Sequence, residues 1–213
     1  MLEHSVGRPT FYVPVHGTWA IDDKQEAWWK TSGAFAQYAR RFNLFQVSHL
    51  PPFVWTSDLN GFGFSLLGPR TKLVDWNAGG WALYYYLLHL PLHDRNLIVH
   101  SHGLQPLLFC CSYGLRVNNV VSVCSPIRED MSFVTDIARP NIKNWLHIYN
   151  TTDTTQWMGQ IGDGKWFGVR KSPHANVNHQ LDEKTKNNHS ELLKVSGKMD
   201  YWVKNGWFDF LRG

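Results

Sequence analysis

Short, wholly apolar runs alternate along the chain with segments whose apolar residues recur at helical spacing. Residues 11–15 (Phe-Tyr-Val-Pro-Val) predict a buried strand that ends at His16-Gly17. Residues 32–41 predict a helix, with Ser32 placed to cap it. A second strand is expected over 45–49, a helix over 77–90, and a fully apolar strand over 96–99. A helix over 103–113, a strand over 117–124 and a helix over 129–138 follow. Strands over 145–149 and 176–181 and a closing helix from 190 complete the pattern. Strands that alternate with helices predict an α/β fold built on a parallel sheet. The pattern breaks over 51–70, where Pro, Gly and aromatic residues are irregularly spaced. A loop of that length in a compact domain is usually functional, and 51–70 is expected to act as a cap or pocket wall.

Length and composition narrow this picture without changing it. At about 150 residues per domain, 213 residues favour one domain over 1–213. With 43% hydrophobic and 18% charged residues, the chain is neither disordered nor fibrous. The net charge of +4 comes with no basic run longer than Arg40-Arg41, so a nucleic-acid partner is not expected. No stretch of about 18 apolar residues occurs, so no transmembrane helix is expected. Cys110, Cys111 and Cys124 are odd in number and lack Cys-x-x-Cys spacing. They read as free buried thiols in a reducing compartment. With no signal-peptide pattern at the N-terminus, a cytoplasmic location is the expectation.

Two motifs carry chemistry. Leu97-Ile98-Val99-His100-Ser101-His102-Gly103 runs an apolar strand into a small-residue turn that opens a helix. A serine nucleophile on a strained strand-to-helix turn needs small neighbours, and Gly103 stands two places after Ser101. The position two before holds Val99 rather than glycine. Upstream, Val13-Pro14-Val15-His16-Gly17-Thr18-Trp19-Ala20 ends a strand in His-Gly, a loop suited to presenting a backbone N–H to an oxyanion. The donors would be the N–H groups of Thr18 and His102.

A serine hydroxyl needs a base, and the base needs an acid to hold its tautomer. Asp153, in the loop after the 145–149 strand, is the expected acid, whereas Asp163 in Gly162-Asp163-Gly164 suits a hairpin turn. His189, in a polar loop before the closing helix, is the expected base, with His174 and His179 as competitors. His179 alternates with Val177 and Leu181 and so belongs within a strand.

With these residues in this order, the chain resembles the α/β-hydrolase superfamily, most closely its lipase/esterase-like branch. The resemblance extends over nearly the whole chain and includes Trp28-Trp29, Pro52-Phe53-Val54-Trp55-Thr56 and Ser125-Pro126. It implies a mostly parallel central sheet flanked by helices and a Ser-His-Asp triad of Ser101, His189 and Asp153 that needs no cofactor. It implies hydrolysis of a small-molecule or lipid carboxylic ester. Trp19, Phe53, Trp55 and Phe64 are the candidate pocket residues. His16, His100 and His102 offer a metal reading, but the sharp turn at Ser101 disfavours it, and His16 and His100 are expected to bond to backbone near the turn. The alternative function is a binding protein that keeps the fold without activity, for which Val99 is the one pointer.

Overall fold

A computed structural model describes residues 8–17, 28–55, 69–160, 171–181, 189–194 and 196–213. Six strands form one sheet: β1 (Thr10–Val15), β2 (Leu44–Gln46), β3 (Leu97–His100), β4 (Val117–Val123), β5 (Ile142–Tyr149) and β6 (Val177–Gln180), in the order β2-β1-β3-β4-β5-β6. Each pairing is parallel, with Val15 opposite Val99, Ser122 opposite His147 and Ile148 opposite His179. The fold is therefore α/β with a parallel sheet flanked by helices.

The apolar runs follow from burial on both faces, which removes the polar alternation of a half-exposed strand. On one face Val13, Val15, Leu97, Val99 and Val120 pack under α2 (Pro69–Leu88), α3 (Leu104–Ser112) and α4 (Ser132–Ala138). On the other, Tyr12, Ile98, Val121, Leu146 and Ile148 meet α1 (Ala34–Ala39), α6 (Glu191–Lys194), α7 (Ser196–Lys204) and α8 (Trp207–Arg212). Trp202 and Trp207 anchor that second layer, each almost wholly buried, their rings edge to face at 5.5 Å. Among the described residues, no helix is long and apolar enough to cross a membrane.

Several boundaries differ from the sequence expectation. Ser32 does not cap α1: the N-cap is Gly33, with extended backbone and no side-chain bond. The helix expected from 77 begins at Pro69, inside the segment expected to be a cap; residues 56–68 of that segment lie outside those described. The closing segment is not a single helix: Gly206 adopts φ 67, a left-handed conformation that separates α7 from α8.

One feature of the topology locates the site. From β1 the chain runs to β2 on one side and then to β3 on the other, so the loops after β1 and β3 diverge at the carboxyl edge of the sheet. Open α/β sheets bind ligands in the crevice made there. His16-Gly17 leaves β1 and Ser101 leaves β3 at that edge.

Candidate active site

Ser101 follows the last residue of β3 and opens a single 3-10 turn before α3. Its φ is 53, one of three positive values among the described non-glycine residues. A left-handed serine is strained, and such strain persists where the surroundings over-determine it. The surroundings are two glycines. A Cβ on Gly103 would lie 2.6 Å from the Val15 carbonyl oxygen and 2.7 Å from that of His16. A Cβ on Gly17 would lie 2.6 Å from the Ser101 Cβ and 3.2 Å from its Oγ. The turn after β3 thus beds against the end of β1, and the His-Gly loop against the serine itself. Val99 needs no such closeness: it is buried in the core beneath α2 and α3, where its bulk packs the sheet.

Asp153 and His189 come together from separate loops. His189 Nδ1 donates to Asp153 Oδ2 at 2.6 Å, and the carboxylate is 2% exposed. That bond fixes the Nδ1–H tautomer and leaves the Nε2 lone pair able to accept a proton. The acid is held by its own loop. Asn150 Oδ1 accepts from the Thr152 backbone N–H at 3.0 Å, and Asp153 Oδ1 caps α5 (Thr154–Met158) by accepting from Gln156 N–H at 2.9 Å. Gln156 Nε2 in turn donates to the Ser125 carbonyl at 2.9 Å, tying this loop to the end of β4. His189 sits one turn before α6, whose Leu192 and Leu193 are buried in the second core.

His100 joins the serine turn to the base. Its Nε2–H donates to the His189 carbonyl at 2.9 Å, and the two rings lie 4.7 Å apart. His16 Nδ1–H donates to the Gly17 carbonyl at 2.8 Å, as expected of a backbone-bonding histidine. Its Nε2 then accepts from the Trp55 N–H at 3.3 Å, while the Trp55 indole donates to the His16 carbonyl at 2.9 Å. Burial between Trp29 and Trp55 pushes the His16 pKa down, so the ring is kept neutral. His102 stacks on Trp76 at 5.5 Å and donates to the Gly159 carbonyl. Arg128 donates to the same carbonyl at 2.6 Å and pairs with Asp130.

The competing histidines lie elsewhere. His179 is in β6, edge to face with Trp207, and burial lowers its pKa. His174 faces Asp136 at 3.7 Å. Phe53 and Trp55 are both buried: Phe53 packs edge to face on Tyr86, and Trp55 stacks on His16. Thr18, Trp19, Phe64 and Asp163 lie outside the described residues. Ser122 Oγ meets His147 Nδ1 at 2.9 Å, but this pair is wholly buried and also takes the Trp145 indole N–H at 2.8 Å, so it packs the sheet.

Cys124 is the site residue that sequence reasoning passed over. Its Sγ, an Asp153 carboxylate oxygen and a His189 ring nitrogen all lie within 4.8 Å of one another. The three are a donor set that zinc accepts, but two ligand atoms on one tetrahedral zinc stand about 3.3 Å apart, and the His189–Asp153 spacing of 2.6 Å is that of a shared proton. The signal available in the sequence was its place: the last residue of an apolar run, directly before Ser125-Pro126.

No family model matches the chain, and no curated protein matches it. Among solved structures, the esterase domain of a protein from Rhodothermus marinus is similar, with a TM-score of 0.46 and 12% identity over 96% of this chain and 88% of that one.

Proposed function

We propose that this chain is a serine hydrolase of the α/β-hydrolase type, cleaving a carboxylic ester through Ser101, His189 and Asp153. The observation that carries this reading is Ser101 at positive φ on a strand-to-helix turn, one residue from the histidine that packs on the His189–Asp153 pair. His189 Nε2 takes the Ser101 proton as Oγ attacks the ester carbonyl carbon. The negative charge that forms on the carbonyl oxygen is held by the backbone N–H groups of His102 and Thr18. Asp153, buried and bonded to Nδ1, stabilises the imidazolium. The imidazolium then protonates the departing alcohol, and water, activated by the same nitrogen, releases the acid from Ser101. No cofactor enters these steps.

The 51–70 segment, with Phe64, and Trp19 are the proposed apolar wall for the acyl chain. Apolar burial is worth about 0.8 kcal/mol per CH₂, so activity on nitrophenyl esters is expected to rise from acetate to medium chains. The alternative of an inactive binding protein draws on Val99, and the packing of Val99 in the core gives it no support. Labelling with a fluorophosphonate that captures activated serines, compared between the native chain and Ser101→Ala, tests the proposal. Labelling lost in a folded Ser101→Ala protein is the expected result; equal labelling of both, or of neither, overturns it.

A further inference from the structure

Cys124 continues β4 at the carboxyl edge, its N–H donating to the Ile148 carbonyl at 2.9 Å. At that point the backbone turns to φ 48, an unusual conformation for a residue with a side chain. The effect is to place the thiol inside the protein, fully buried, against the carboxylate that orients His189. Burial first, and then the nearby charge of Asp153, push the thiol well above its ordinary range. A thiol so placed stays protonated, and a protonated thiol beside a carboxylate is a donor to it.

We propose that Cys124 is a positioning residue of the active site, its Sγ–H donating to Asp153 and so setting how strongly that carboxylate holds the imidazolium of His189. The kinetic consequence rests on the serine-hydrolase reading; the effect on His189 itself does not. Asp153 accepts from the Gln156 N–H and the His189 Nδ1–H, and the buried Cys124 Sγ lies within 4.8 Å of its carboxylate oxygen, where a third donor would reach it. Cys124 from the end of β4 and His100 from β3 are titratable groups that face the pair. Each donor draws off part of the carboxylate charge. Removing the thiol concentrates that charge on the bond to His189, and the imidazolium becomes easier to form.

The test is the titration of His189 in protein labelled with ¹⁵N-histidine, its ring assigned by loss of the signal in His189→Gln. Cys124→Ala is expected to raise the His189 pKa by about half a unit to one unit. Cys124→Ser, which keeps a donor, is expected to stay near the native value. Cys124→Gly removes the donor while accepting positive φ, and should shift as the alanine variant does. On a nitrophenyl ester the acid limb of kcat/KM should move with each NMR titration. Identical His189 titrations in all the proteins overturn the proposal, as does an equal shift in the serine and alanine variants, which would mark a packing role. The low-field His189 Nδ1 proton should also move in Cys124→Ala and Cys124→Gly and stay near its native position in Cys124→Ser; an unmoved resonance in a folded donor-less variant overturns the proposal. A chain with no esterase activity but shifted His189 titrations would refute the hydrolase reading and leave the role of Cys124 standing.

Discussion

Replacing Gly103 by alanine tests whether the turn at Ser101 is held by close backbone approach. The Gly103 backbone is ordinary, with φ −61, so alanine meets no conformational penalty there. It meets instead the carbonyl oxygens of Val15 and His16, at 2.6 and 2.7 Å, where real Cβ contacts essentially never fall below 3.0 Å. Both oxygens belong to backbone at the end of β1 and cannot swing aside as a side-chain tip can. Overpacking of this kind costs about 1–3 kcal/mol. Better helix propensity at the start of α3 returns at most about 1 kcal/mol. For a chain of this size each kcal/mol of net loss lowers Tm by about 2–4 °C. The displacement separates β1 from the elbow, so the Gly17 loop leaves Ser101 and ester hydrolysis falls further than stability does. In Gly17→Ala the new Cβ meets the Ser101 Cβ at 2.6 Å and the His100 carbonyl oxygen at 3.1 Å, neither of which can swing aside, so activity and Tm should both fall. Circular dichroism melts and nitrophenyl ester kinetics on both variants measure the two effects. A Gly103→Ala protein with native Tm and native kcat/KM refutes the close-approach argument.

His189→Ala should lower kcat by about 10³ or more, with His174→Ala and His179→Ala costing far less in steady-state assays. In the proposed mechanism the neutral imidazole is the base, so the native rate should rise with pH through the histidine range, and a flat profile from about pH 5 to 8 counts against it. His16 and His179 are both held below the ordinary histidine value in the folded protein, so the unfolded chain binds more protons as acidity increases. Stability should therefore be complete above about pH 6.5 and decline below it. The slope of Tm against pH should be shallower in His16→Gln, and an unchanged slope means that His16 is not held neutral. Trp55→Ala, which removes a buried ring stacked on His16, should cost about 3–5 kcal/mol; a denaturant midpoint equal to the native one would show that Trp55 is not core.

The sequence by itself determined the strands and the α/β class of the fold. Strands β1, β3 and β4 are buried on both faces, so they carry mostly apolar residues and each stands out as a run, while the buried Asn119 and Ser122 of β4 are held by hydrogen bonds. The Ser101 turn was legible because a strained nucleophile turn demands small residues at short range, and Gly103 supplies one beside the apolar Leu97-Ile98-Val99. The helices were less legible: α2 begins at Pro69 and the closing segment divides at Gly206, since tertiary packing rather than local periodicity sets those ends. Only the tertiary structure decided which polar groups meet. Cys124 and Asp153 are joined because β4 and β5 are neighbours in the sheet, and Trp55 meets His16 because the chain returns over the end of β1. Contacts of that kind leave no periodic trace, since each depends on one side chain crossing between loops that the chain itself keeps far apart.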